Sequence, residues 1–143
     1  CLMGCDIHLH TEVKVNGRWE HWGNPSVDRS YGLFEKMAGV RGDVANAISP
    51  PKGLPKDVTR PTEMDRESWN GDGHSPSYLT AEEIEHQLYP WFETIREEAN
   101  FGGFSREYFP ETYFGYLFGN EWNMENAKEH NIEDFRFVFW FDN

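Results

Sequence analysis

The sequence predicts one α+β domain over residues 1–143, with a mostly antiparallel sheet packed against one long helix and one or two short ones. Two observations place strands at the ends of the chain, because polar and apolar residues alternate from Cys5 onward and again over the last nine residues. A third observation places helices between them, since two internal segments carry apolar residues at intervals of three and four. No internal repeat divides the chain.

A β-hairpin is predicted at the start of the chain. Residues 5–15 and residues 18–22 alternate polar and apolar side chains, as strands with one buried face do. Asn16 and Gly17 lie between them, and this dipeptide is typical of the type I′ turn that joins antiparallel strands. The hairpin predicts that His21 lies near the polar side chains of the first strand.

A short helix and a long loop are predicted next. Residues 31–39 carry apolar side chains at helical spacing, and Gly39 is suited to the end of that helix. Its inner face carries three apolar residues: Leu33, Phe34 and Met37. Residues 43–73 contain four prolines, several glycines and mixed charges, so we expect a long irregular loop. Such long loops are usually functional or disordered.

An amphipathic helix is predicted over residues 81–99. Thr80 and Glu83 have the spacing of a capping box, which satisfies free backbone amides at the start of a helix. Apolar residues follow at helical intervals, and Pro90 is expected to kink or interrupt the helix. The glycine pair at 102–103 ends this unit.

The chain closes with a predicted central strand, residues 135–143. Its phenylalanines share one face, and the other face carries Arg136, Val138, Trp140 and Asp142. The opening strand has matching alternation and is the simplest partner, which places Asp142 beside its polar side chains. The aromatic run at 113–118 fits a strand or a helix and is left unassigned.

Charge and composition limit the function. The chain has 25 acidic and 13 basic residues, a formal net charge of −12, which argues against binding to a DNA or RNA polymer. A small anionic ligand is compatible if a few arginines, such as Arg136, offset the local field. Both cysteines lie in the first five residues, and no apolar run approaches the roughly 18 residues of a membrane span. We expect a cytoplasmic protein without membrane contact, with Cys1 and Leu2 ahead of a native start at Met3. The sequence leaves the oligomeric state open, a homo-oligomer included.

The polar face of the first strand carries the clearest chemical signal. Asp6, His8 and His10 are spaced by two residues, so their side chains share one face of a strand. Imidazole and carboxylate groups are common ligands of divalent ions such as Zn or Mn. We therefore predict a metal site formed by Asp6, His8, His10 and Asp142. The alternative is a solvated strand face, as antiparallel sheets commonly have.

A second polar cluster ends the long loop at residues 72–77. His74 is predicted to act there as a general acid or base, oriented by Asp72, with Ser75 holding substrate. The alternative is an ordinary turn that leads into the next helix. Trp22 and Trp140 are candidates for stacking on a base, although aromatic residues at 16% of the chain more often build a core.

The first strand resembles a known metal motif. Asp6, His8, His10 and Thr11 match the Asp-x-His-x-His-Thr strand of the polymerase-and-histidinol-phosphatase phosphoesterases. In that family the strand supplies metal ligands for hydrolysis of phosphate esters. The resemblance covers six residues, so it implies a similar chemistry and not a shared fold.

Most of the chain, from Met3 to Asn143, resembles a family of small phage and prophage proteins to which no reaction is assigned. Five segments carry the resemblance: Met3–His8, Gly39–Arg41, Lys52–Pro55, Asp72–Ser75 and Arg136–Asn143. The resemblance implies a small cytoplasmic protein made in a bacterial host by a phage or prophage.

These observations lead to one preferred hypothesis and two alternatives. The preferred one is a phage-encoded, metal-dependent phosphoesterase that acts on a small nucleotide, such as a signal of host immunity. The first alternative is a sponge that binds the same nucleotide without cleaving it. The second is an acidic protein that inhibits a host enzyme. Metal content and a nucleotide panel separate them.

Overall fold

The computed structural model describes residues 4–27, 29–94 and 124–143. Four antiparallel strands form one sheet in the order β2-β1-β4-β3. The strands are β1 (Asp6–Val15), β2 (Arg18–Gly23), β3 (Gly73–Thr80) and β4 (Asp134–Asp142). The predicted α+β class is confirmed, with the N-terminal hairpin and the C-terminal strand inside the sheet.

Among these residues, four α-helical segments flank the sheet: α1 (Tyr31–Ala38), α2 (Arg60–Ser68), α3 (Ala81–Glu83) and α4 (Met124–Glu129). A π turn, Ile84–Leu88, extends α3, and residues 89–94 continue it as a helix. A short 3₁₀ turn covers Val44–Asn46. The predicted helix over 81–99 is therefore found as far as residue 94. Residues 95–99, the glycine pair at 102–103 and the aromatic run at 113–118 lie outside the described residues.

Local signals set the ends of these elements as predicted. Asn16 and Gly17 have φ angles of 52° and 74°, as the two central residues of a type I′ turn require. Gly39 ends α1 with a φ of 76°, and its amide donates to the carbonyl of Glu35. Thr80 and the side chain of the residue three positions later form the capping box of α3.

The two faces of the sheet differ in chemistry. One face, here called the phenylalanine face, carries four buried side chains of β4: Phe135, Phe137, Phe139 and Phe141. It packs in a single apolar cluster with α1, where the rings of Phe34 and Phe141 meet edge to face at 5.1 Å. The opposite face, here called the polar face, carries Asp6, His8, His10, Glu12, Arg136, Trp140 and Asp142. Helix α2 covers the polar face.

Two elements lie where the sequence predicted a loop and a turn. Helix α2 falls inside the range 43–73, and it was not apparent from periodicity because Thr62 is its only buried residue. Strand β3 contains Pro76 and a bulge between His74 and Ser77. A proline is tolerated there because β3 is an edge strand of the sheet.

Candidate active site

The pairing of β1 with β4 creates the candidate site. Asp6 lies opposite Asp142, and His8 lies opposite Trp140. Because side chains alternate along each strand, these residues all project from the polar face. The expected position of Asp142 beside the polar row of the first strand is therefore confirmed.

His8 and Asp142 form a hydrogen-bonded pair. Nε2 of His8 donates to Oδ2 of Asp142 at 2.6 Å, and the two side chains are 22% and 15% exposed. Two indole rings enclose the imidazole, with centroid distances of 4.1 Å to Trp69 and 6.0 Å to Trp140. The carboxylate fixes the proton on Nε2, so Nδ1 of His8 carries the free lone pair. Within the described residues, Nδ1 has no hydrogen-bond partner.

His8 opens onto a cavity of about 470 Å³. The cavity is lined by Asp6, Ile7, His8, Asn24, Pro25, Ser26, Val27 and Arg29. Nε and Nη2 of Arg29 each donate to one carboxylate oxygen of Asp6 at 2.9 Å. This double hydrogen bond lowers the pKa of Asp6 below its ordinary value. A cavity of this size is typical of sites for small molecules.

The guanidinium of Arg29 lies directly against the backbone of Gly4. A Cβ atom at Gly4 would stand 2.0 Å from Nη1 of Arg29. Any larger residue at position 4 must therefore move the arginine away from Asp6. The absence of a side chain at Gly4 allows the positive charge to sit at the cavity wall.

Three further side chains form a chain of hydrogen bonds beside the His8 pair. Nε2 of buried His10 donates to Oδ2 of Asp65 at 2.7 Å, and its Nδ1 accepts from Nε2 of His21 at 2.9 Å. Asp65 is on α2, which covers β1, and His21 is on β2, which pairs with β1, so the helix and the strand each contribute one partner. Burial, and then electrostatic repulsion by His10 when both rings are protonated, lower the pKa of His21. The sequence-based prediction that His21 lies near the polar row is borne out by this contact.

Glu12 anchors α2 at the other end of the polar face. It is fully buried, and Oε2 accepts hydrogen bonds from the backbone amide of Thr59 and the hydroxyls of Thr59 and Thr62. Oε1 accepts from Nε of Arg136 at 2.8 Å. Arg136 also donates to Asp57, which lowers the pKa of Asp57. This network is structural, because both carboxylate oxygens of buried Glu12 are already hydrogen-bonded.

The predicted metal ligands do not fit a ligand set as they are arranged. Both oxygens of Asp6 bind Arg29, while His8 and Asp142 bind each other. Both nitrogens of His10 are also engaged. Across residues 4–27, 29–94 and 124–143, no three His, Cys, Asp or Glu side chains are grouped so that they could hold a metal ion. The metal site stays a prediction.

His74 lies on the other side of the sheet from His8. It pairs with Phe141 and faces that ring at a centroid distance of 6.2 Å. Its ring nitrogens are hydrogen-bonded to Ser75 at 3.0 Å and to Asn143 at 3.1 Å. Asp72 is exposed and precedes β3. His74 is therefore one position out of step with the polar face and does not lie beside the row of Asp6, His8 and His10.

Two predicted ligand-binding side chains are buried inside the fold. Trp140 is 0% exposed and stacks against the imidazoles of His8 and His10, so no base can reach its ring. Arg136 is held between Glu12 and Asp57, with Trp19 stacked on its guanidinium at 3.9 Å. Central strands are enclosed on both faces once α2 has docked, which is the reason for both corrections. Trp22, in contrast, is 50% exposed and stays available to a ligand.

Asp65 and Trp69 complete the polar face but were missed in the sequence. They are four residues apart, near the end of α2, and contact His10 and His8 respectively. Helix α2 has no apolar stripe in the sequence, because the side that it turns towards the sheet carries polar residues. Ser75 was predicted as a substrate contact. It lies in the bulge of β3 with a φ of 54°, and its hydroxyl is hydrogen-bonded to the ring of His74.

Comparisons with known proteins leave the site to be interpreted from its geometry. In the described part of the chain, no helix has both the length and the apolar character needed to cross a membrane. No family model, curated protein or solved structure matches the sequence.

Proposed function

We propose that this protein hydrolyses a phosphate ester of a small nucleotide, with His8 as the general base. The observation that carries the proposal is the 2.6 Å hydrogen bond between His8 and Asp142 at the wall of the 470 Å³ cavity. A histidine oriented by a carboxylate, with its second nitrogen free, is a recurring acid–base arrangement. The reaction class itself comes from the sequence resemblance.

The surrounding residues suit this chemistry. Nδ1 of His8 takes a proton from water, the water oxygen attacks phosphorus, and Asp142 stabilises the imidazolium that forms. The ester P–O bond breaks as the new bond forms, and the leaving alcohol oxygen keeps that electron pair and receives the proton from His8. Trp69 and Trp140 restrain the ring, which limits the geometries that the base can adopt. Arg29 uses two of its five donors on Asp6, so others can stabilise charge on the phosphoryl oxygens.

A second candidate function is binding of a nucleotide without cleavage. The half-exposed ring of Trp22 supports it, because exposed indoles are platforms for base stacking. The resemblance to phage proteins makes a signalling nucleotide of host defence the proposed ligand in both cases.

The test is incubation of the purified protein with linear and cyclic nucleotides and with bis(p-nitrophenyl) phosphate. We expect the unmodified protein to hydrolyse at least one of these substrates. In His8→Gln and in Asp142→Asn, kcat/KM should fall by about 10²-fold or more. His86→Asn is the matched control, because His86 is an exposed histidine on the π turn. Intact nucleotide recovered after denaturation would favour binding alone. No hydrolysis, or hydrolysis unaffected by His8→Gln, contradicts the proposed reaction.

A further inference from the structure

The hydrogen-bonded chain of Asp65, His10 and His21 has a direction. A carboxylate only accepts hydrogen bonds, so Nε2 of His10 carries a proton, and in the neutral imidazole its Nδ1 is then bare. That bare Nδ1 must accept from His21, so the proton of His21 is on Nε2. The remaining nitrogen, Nδ1 of His21, therefore carries a lone pair. Within the described residues it has no hydrogen-bond partner.

This direction matches the arrangement that activates a nucleophile. A nucleophile lies within about 2.6–3.2 Å of a base, and a third group orients the base. Here the distances are 2.9 Å from His21 to His10 and 2.7 Å from His10 to Asp65. The base, His10, is buried, while the imidazole of His21 is partly exposed at the surface. When His10 pulls on the Nε2 proton of His21, electron density rises on Nδ1 of His21.

The position of His21 in the sheet supports access to a ligand. A bulge in β2 falls beside it, because Thr11 and Glu12 are adjacent on β1 but pair with Gly23 and His21. The extra residue is Trp22, whose ring is half exposed. Bulges next to functional side chains re-aim them relative to the flat sheet.

We propose that His21 is a nucleophile that accepts a phosphoryl group at Nδ1 from a small phosphoryl donor, activated by His10 and Asp65. The N–P bond forms as the bond between phosphorus and the leaving group breaks, and the leaving group keeps that electron pair. The Nε2 proton of His21 passes to Nδ1 of His10, and Asp65 stabilises the resulting imidazolium. The step uses neither His8 nor the cavity, so it can fail or succeed independently of the proposed hydrolysis.

The probe is phosphoramidate, whose leaving group is ammonia. We expect mass spectrometry of the intact protein and of its peptides to find one acid-labile phosphoryl group on His21. The control His86→Asn takes up the same group at the same rate. His21→Asn takes up none. No uptake, or uptake at another histidine only, overturns the proposal.

Asp65→Asn tests the relay without removing a buried ring. The amide keeps the shape of the Asp65 side chain without its charge, so it cannot stabilise an imidazolium at His10, and an NH₂ turned towards Nε2 of His10 makes that nitrogen an acceptor. His10 then carries its proton on Nδ1, His21 must accept at Nε2, and the lone pair at Nδ1 of His21 is lost. We expect phosphoryl uptake to fall about 10²-fold or more, as when a triad carboxylate is replaced by an amide. An unchanged rate contradicts the relay.

Nitrogen-15 chemical shifts of the imidazoles give a readout that a purely structural role would not move. They should show a protonated Nε2 and a bare Nδ1 on both His10 and His21 of the unmodified protein, and the reverse in Asp65→Asn. A proton on Nδ1 of His21 in the unmodified protein overturns the proposal, because that nitrogen could not attack phosphorus.

Discussion

Replacing Glu12 by glutamine should remove a large part of the stability of the fold. Glu12 is 0% exposed, and the Arg136 side chain that it contacts at 2.7 Å is 7% exposed. Glutamine keeps the shape but turns one acceptor into a donor. If its NH₂ faces Arg136 it opposes a cation, and if it faces Thr59 it opposes a backbone amide. Neither orientation satisfies all donors.

The magnitude follows from that geometry. Breaking a buried ion pair by removing one charge costs about 3–5 kcal/mol. Asp57 still holds other nitrogens of Arg136, and the retained amide oxygen keeps some hydrogen bonds, so we expect about 3 kcal/mol. For a chain of this length, that loss lowers the melting temperature by about 10 °C.

Urea denaturation of Glu12→Gln, followed by tryptophan fluorescence, measures the change. Glu63→Gln is the matched control, because Glu63 pairs with Arg60 at the exposed surface of α2, and its midpoint should not move. A loss below about 1 kcal/mol for Glu12→Gln would refute the reasoning, since it would show that Arg136 does not need the buried charge.

Three further predictions follow from other parts of the structure. Gly39→Ala should destabilise the protein by about 1 kcal/mol or more in thermal unfolding, because Gly39 has a φ of 76° and its added Cβ would meet the backbone of the 3₁₀ turn at 2.6 Å. Gly32→Ala in the same helix, where the Cβ meets nothing within 4 Å, should be neutral or stabilising, and equal losses in both variants would contradict the argument. Arg136 lowers the pKa of Asp57 below its ordinary value of 3.8, so this pair contributes stability above that pH and loses it as the pH falls through the lower folded value. The melting temperatures of Asp57→Asn and the unmodified protein should therefore converge below about pH 4, whereas a constant difference would exclude this linkage. Hydrolysis that depends on His8 as a base should persist after dialysis against a chelator; loss that zinc or manganese restores would instead support the predicted metal site.

The hairpin shows how much of the fold could be predicted from the sequence. Asn16 and Gly17 adopt positive φ angles at little cost, so the turn and the pairing of β1 with β2 follow from local sterics. The alternation in β1 and β4 places Asp142 and His8 on one face because side chains in a strand repeat every two residues. These features needed no knowledge of distant contacts.

The candidate site was predicted only in part, since its partners come from distant segments. The sequence shows His8, His10 and Asp142 as a row, but it does not show that Asp65 of α2 and Trp69, directly after α2, cover that row. Helix α2 buries polar groups, so no hydrophobic periodicity marks its inner side.

The sequence by itself determined which polar side chains share a face of the sheet, because period-two alternation and turn geometry are local properties. Only the tertiary structure decided what those side chains do, because a hydrogen-bond partner is set by register and docking over long distances. The bulge in β3 leaves His74 on the phenylalanine face. The docking of α2 gives Asp65 to His10 and so directs its other nitrogen to His21, while the pairing of β1 with β4 gives Asp142 to His8.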